Sequence, residues 1–86
     1  MYKVEKKDGT QENFDRNKIV AGIVAAGGTM ENAEKVATEI ESWLPEMAVN
    51  NVVRSNDIRI KGLEIFRMVN PTAAETFETY QKTVRV

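Results

Sequence analysis

Turn-forming residues recur along this sequence at intervals that leave room only for short elements. Asp8-Gly9, Gly27-Gly28, Pro45 and Asn70-Pro71 divide the 86 residues into one hairpin-sized segment and several helix-sized ones. Glycine reaches backbone angles that other residues resist, and proline withholds an N–H, so each break stops or turns an element. The longest apolar-plus-Gly run, Ile19 to Gly28, is ten residues, about half a membrane span. Residues 1–7 hold no apolar segment of signal-peptide kind. A soluble, cytoplasmic domain is expected, with residues 1–86 forming a single domain around one modest core.

The first segment, Tyr2 to Phe14, reads as a β-hairpin around Asp8-Gly9. A two-residue loop would scatter its apolar residues over both faces. A three-residue loop, Lys7-Asp8-Gly9, pairs Lys6 with Thr10, Val4 with Glu12 and Tyr2 with Phe14, and so gathers Tyr2, Val4 and Phe14 on one face. Gly9 then takes the left-handed bulge position. This register also brings Lys6 and Glu12 onto the apolar side.

Four helices follow. Asp15 is a candidate N-cap for residues 16–26, with Ile19, Val20, Ile23 and Val24 as the apolar stripe and Gly27-Gly28 as the stop. Thr29 caps a second helix from Met30 to Leu44, burying Ala33, Val36, Ala37, Ile40, Trp43 and Leu44, and Pro45 ends it. Residues 46–54 read as irregular, although Val52-Val53-Arg54 is β-prone and could add a third strand. Ser55 or Asn56 caps a third helix from Asp57 to Val69, with Ile58, Gly62, Ile65, Phe66 and Val69 on one side and Ile60 and Leu63 widening the stripe. Pro71 opens a fourth helix running to Val84, with Ala73, Phe77, Tyr80 and Val84 at helical spacing. The expected fold is α+β, a small hairpin or three-stranded sheet packed on a four-helix cluster.

Composition narrows the chemistry. The sequence has neither Cys nor His. That removes thiol nucleophiles, iron–sulfur ligands and any Ser-His-Asp arrangement, together with the commonest general base. No catalytic residue and no metal ligand is assigned, and a binding or regulatory domain is expected rather than an enzyme. Charge is balanced at a formal −1 but unevenly placed. Residues 31–46 carry five Glu against Lys35, while residues 54–67 carry Arg54, Arg59, Lys61 and Arg67 against Asp57 and Glu64.

The hairpin is where chemistry could sit. A charged residue turned toward a core is costly unless it is paired or meets a ligand. Lys6 and Glu12 either pair with each other at the rim or belong to a site in which the hairpin closes over the start of the first helix. In the second case Lys6, Lys7 and Lys18 converge on an anion, helped by the positive helix end. Glu12 and Asp15 could accept hydrogen bonds from the amino groups of a base, although Asp15 serves equally as a helix cap.

The ordered set Val4-x-Lys6-Lys7-Asp8-Gly9-x-x-Glu12-x-Phe14-Asp15-x-x-Lys18-Ile19 closely resembles the opening signature of the ATP-cone domain. Val53-x-Ser55-x-Asp57-Ile58 resembles that family's second motif, and Ala74-x-x-Phe77-x-x-Tyr80 its closing helix. The resemblance implies a non-catalytic regulatory domain that binds ATP or dATP with Mg2+, as at the N-terminus of ribonucleotide reductase large subunits. Carried over by residue, Val4, Lys6 and Lys7 match nucleotide-contacting hairpin positions. Glu12 and Asp15 match base recognition, Lys18 a helix lysine near phosphate or ribose, and Ser55 and Arg59 the phosphate side of the third helix. Lys7 stands where Arg is usual, Arg59 where some members have His, and Gln81 where a basic residue is frequent. The partners so implied are an adenine nucleotide and a ribonucleotide reductase subunit or a second copy of the chain. Membrane is not expected among them. Nor is nucleic acid, because net charge −1 and an acidic second helix disfavour it. The competing reading is a degenerate cone that acts as a protein–protein module without nucleotide.

Overall fold

The computed structural model describes residues 2–84, with side chains described for residues 2–79. In chain order the elements are β1 (Lys3–Glu5), β2 (Gln11–Asn13), α1 (Arg16–Ala25), α2 (Met30–Met47), β3 (Val52–Arg54), α3 (Ser55–Val69) and α4 (Pro71–Val84). The three strands form one mixed sheet in the order β2-β1-β3, so the fold is α+β as expected.

The hairpin has the three-residue loop. Val4 faces Glu12, and the Lys6 N–H donates to the Thr10 carbonyl at 2.8 Å, as the Phe14 N–H does to that of Tyr2 at 2.9 Å. Gly9 takes φ +87°, the left-handed angle that a side chain would strain. The Asp8 carboxylate closes the loop by accepting from the Thr10 N–H at 3.0 Å and the Thr10 hydroxyl at 2.6 Å.

β3 runs parallel to β1, with Glu5 opposite Arg54. The segment before it is more ordered than its composition suggests. Val49 and Val52 exchange two backbone hydrogen bonds of 3.0 Å around Asn50 and Asn51, whose φ angles are +54° and +64°. Asparagine tolerates this left-handed pair, which turns a tight hairpin. The Asn51 carbonyl then accepts from the Lys3 N–H at 2.8 Å and so fastens the turn to β1.

The core lies between the helices. Phe66, Ile40, Leu44 and Val36 are its largest fully buried side chains, and Phe66 meets Phe77 edge-on with ring centroids 6.3 Å apart. α2 packs on α1 and α3, and α3 packs on α4. Gly28 admits the chain past this core, because a Cβ there would sit 2.7 Å from Ile23 Cγ2 and 3.0 Å from Phe66 Cζ. Among the described residues, no helix is long and apolar enough to cross a membrane.

Four expectations need correction. Pro45 does not end α2, which continues to Met47. Its missing N–H falls in the last turn, where one lost hydrogen bond is outweighed by the burial of Ile40 and Leu44. α3 begins at Ser55 with Arg54 in the N-cap position, so neither Ser55 nor Asn56 is its cap. Val24 is 42% exposed and Ile60 55% exposed, so both face away from the core. The side chains of Tyr80, Gln81 and Val84 lie outside the described residues.

Candidate nucleotide site

The parallel pair β1–β3 has both carboxyl ends on one side, and the next residues open a cleft of about 640 Å³ there. Glu5, Lys6 and Lys7 come from the end of β1, while Arg54, Ser55, Asn56, Asp57 and Arg59 come from β3 and the start of α3. Crevices beyond the carboxyl ends of parallel strands are recurrent ligand sites in α/β sheets. The N-cap residue Arg54 makes no side-chain hydrogen bond to the first turn of α3. Free N–H groups and the positive end of the helix dipole favour an anion at such a terminus. Four cations against two carboxylates leave the cleft basic. Arg59 is held in place by a 2.6 Å hydrogen bond from its Nη2 to Asn56 Oδ1.

Two smaller pockets adjoin this cleft through shared residues. One, of about 110 Å³, lies between hairpin and helices and is lined by Val4, Glu12, Phe14, Asp15, Lys18, Ile19, Ser55 and Ile58, among others. The other, of about 250 Å³, reaches toward the core past Lys18, Ile19, Gly22, Ile58, Arg59, Leu63 and Phe77. Ser55 lines all three, and Arg59 lines both the polar cleft and the apolar pocket. The eight residues singled out from the sequence therefore all face this connected space. Lys6, Lys7 and Arg59 line its polar part, and Val4, Glu12, Asp15 and Lys18 its hairpin side.

Within it, Glu12 pairs with two lysines. Its Oε1 accepts from Lys18 Nζ at 3.1 Å, and its Oε2 lies 3.5 Å from Lys6 Nζ. Glu12 thus pairs with Lys6 at the rim and also links the hairpin to α1. Asp15 acts as the α1 cap, accepting from the Asn17 N–H at 2.9 Å while also lining the small pocket. The hydrogen bond from Lys18 holds the Glu12 carboxyl below its ordinary 4.5, with the charges of Lys18 and Lys6 adding to it. A lowered carboxylate contributes stability above its unfolded value and loses it as pH falls through the folded one. The Glu12–lysine links should therefore persist at pH 4.5 and break only below it. Carboxyl-carbon NMR should find a Glu12 midpoint under 4.5 that moves up in Lys18→Ala, whereas an unchanged midpoint in that variant would refute the link.

The sequence reading missed several lining residues. Sequence alone places Arg54 at the end of a strand and Ile58 in a core stripe, yet both border the cleft or its pockets. A cation that ends a strand and leads straight into a helix is a usable signal for such a site. Arg16 is a structural counterpart. It clamps α1 to α2 through Glu34 at 2.9 Å and Glu41 at 3.1 Å, away from the cleft.

Comparison with known proteins places the chain in a family. Residues 2–78 match the family model described as the ATP cone domain. A transcriptional repressor NrdR from Thermosipho melanesiensis is 39% identical over 66 residues, covering 77% of this chain and 41% of that protein. A repressor of the same name from Geobacillus kaustophilus is 42% identical over 53 residues, covering 57% of this chain and 35% of that protein. An uncharacterized protein from Archaeoglobus fulgidus is 46% identical over 41 residues, covering 48% of this chain and 87% of that protein. The chain thus spans about two fifths of the length of the Thermosipho repressor.

These relatives overturn one expectation. A transcriptional repressor acts on DNA, so nucleic acid cannot be set aside as a partner on the strength of net charge. Net charge −1 and the acidic α2 describe this chain alone, which spans 41% of one repressor and 35% of the other, so they do not decide whether such a protein meets DNA. Affinity for nucleic acid follows local cation placement rather than the sum.

Proposed function

This chain belongs to the ATP cone domain family, and from that premise we propose that it is a non-catalytic regulatory domain binding ATP or dATP. The observation that carries the reading is the convergence of Lys6, Lys7, Arg59 and Ser55 on one basic cleft, beside pockets that share Ser55 with it and are lined by Glu12, Lys18, Ile19 and Ile58. The triphosphate lies in the cleft, gripped by Lys6, Lys7, Arg59 and the start of α3, with Lys18 reaching it from α1. The base lies under the hairpin against Val4, where Glu12 accepts from its amino group and Asp15 borders the same edge. Among the described residues no group of three or more acidic side chains could hold a metal. Mg2+ would accompany the nucleotide, and Glu5 and Asp57 are the carboxylates of the cleft that could face it. Bound there, it supplies screening of the phosphate charge.

Residues 1–86 act in this reading as one regulatory domain whose bound state changes the surface offered to a partner. A cytoplasmic location and a role in controlling ribonucleotide reductase, through the enzyme itself or a repressor acting on DNA, fit relatives that are transcriptional repressors. Titration of the labelled chain with MgATP tests the site. The amide signals of Lys6, Lys7, Ser55, Asn56 and Asp57 should shift while those of Thr72 and Thr76 stay fixed. Shifts confined to the α4 surface, or none, would refute the assignment.

A further inference from the structure

Two of the lysines assigned above to phosphate, Lys6 and Lys18, are already paired with an anion that belongs to the protein. Glu12 holds Lys18 through one carboxylate oxygen at 3.1 Å and approaches Lys6 through the other at 3.5 Å. We infer that Glu12 is an internal competitor for these lysines, so that the site admits nucleotides whose base places an amino donor where adenine has its 6-amino group and disfavours anions that lack one. The inference rests on the nucleotide-binding reading and deepens it by assigning the source of ligand selectivity.

The physical argument is one of balance. An anion without a base, such as tripolyphosphate, competes with the carboxylate for Lys6 and Lys18 and takes them fully only by displacing it. The carboxylate then stands unpaired beside a like charge, which opposes binding. A nucleotide removes that penalty, because its phosphates take the lysines while its amino group donates to the freed carboxylate. The layout suits this exchange. Lys6 lines the polar cleft, Glu12 lines the small pocket under the hairpin, and Lys18 stands in that pocket beside the apolar Ile19 and Ile58. Glu12 sits on β2 opposite Val4. The side chains of Lys6, Glu12 and Lys18 are 51%, 35% and 63% exposed, so water weakens the competition without abolishing it.

Calorimetric titration of the whole chain with ATP and with tripolyphosphate, for wild type, Glu12→Gln and Glu12→Gln/Lys18→Gln, tests the inference. Glutamine keeps the shape and removes the charge. Tripolyphosphate should bind Glu12→Gln roughly fivefold tighter than wild type, the scale set by two exposed ion pairs. The gain should fall away in the double variant, which lacks one of the lysines to be freed. ATP should gain nothing from Glu12→Gln. Unchanged or weaker tripolyphosphate binding by Glu12→Gln, with ATP still bound by wild type, would overturn the competitor role and leave the nucleotide reading standing. No ATP binding by wild type would overturn both.

Discussion

Replacing Lys6 and Lys18 together with Ala should abolish measurable ATP binding while leaving the fold intact. Each ammonium is expected to make a charge-assisted hydrogen bond to phosphate, a class of interaction worth about 1.5–3 kcal/mol. Losing two weakens binding by at least about a hundredfold. The fold should survive because both side chains are more than half exposed, and their ion pairs with Glu12 lie at the surface. Calorimetry with MgATP, with the far-ultraviolet circular dichroism spectrum as the control for folding, reads both halves of the prediction. Affinity within a few fold of wild type would remove these lysines from the site.

Phe66→Ala should have the largest effect on stability. Phe66 is fully buried, sits edge-on to Phe77, and lies directly beneath the turn at Gly28. Truncating such a side chain costs roughly 3–5 kcal/mol through lost burial and the cavity left behind. A domain of this size has only about 4–13 kcal/mol in total. The melting temperature should fall by more than about 10 °C. Ile60→Ala on the outer face of the same helix is the matched comparison, because Ile60 is 55% exposed and should change stability by about 0.5 kcal/mol or less. Similar losses in the two variants would contradict the core assignment. The apolar pocket beside the cleft is lined by Phe77, so loss of Phe66 should also loosen the wall against which the ligand packs.

Much of this fold is legible in the sequence because local and tertiary preferences agree. The hairpin register follows from placing Tyr2, Val4 and Phe14 on one side and Gly9 where a left-handed angle is needed. α2 shows its buried face through spacing alone, with Ala33, Val36, Ala37, Ile40 and Leu44 all buried. The failures come where one force overrides another. Pro45 disfavours further helix, yet burial of Leu44 carries α2 two residues beyond it. Asn50 and Asn51 hold a tight turn through left-handed angles that composition does not announce.

The candidate site was partly legible for a different reason. Its charged residues stand in ordered motifs, so Lys6, Lys7, Glu12, Lys18, Ser55 and Arg59 could be named before any geometry was known. Their arrangement could not. That β3 runs parallel to β1 and delivers Arg54 and the start of α3 to the same cleft as Lys6 and Lys7 is a fact of topology. The apolar lining had no separate signal either, since Ile19 and Ile58 serve the helix stripes and the pocket at once.

Thermal unfolding of the chain with ATP, dATP and GTP, each with Mg2+, tests the central claim most directly. A ligand at about 100 times its dissociation constant stabilises the folded state by roughly 2.7 kcal/mol. In a domain of this size that corresponds to a rise in melting temperature of about 10 °C or more. ATP and dATP should produce this rise and GTP should not, because the proposed role of Glu12 is to accept from the 6-amino group of adenine, where guanine carries a carbonyl oxygen. An unchanged melting temperature with every nucleotide at millimolar concentration would contradict the account.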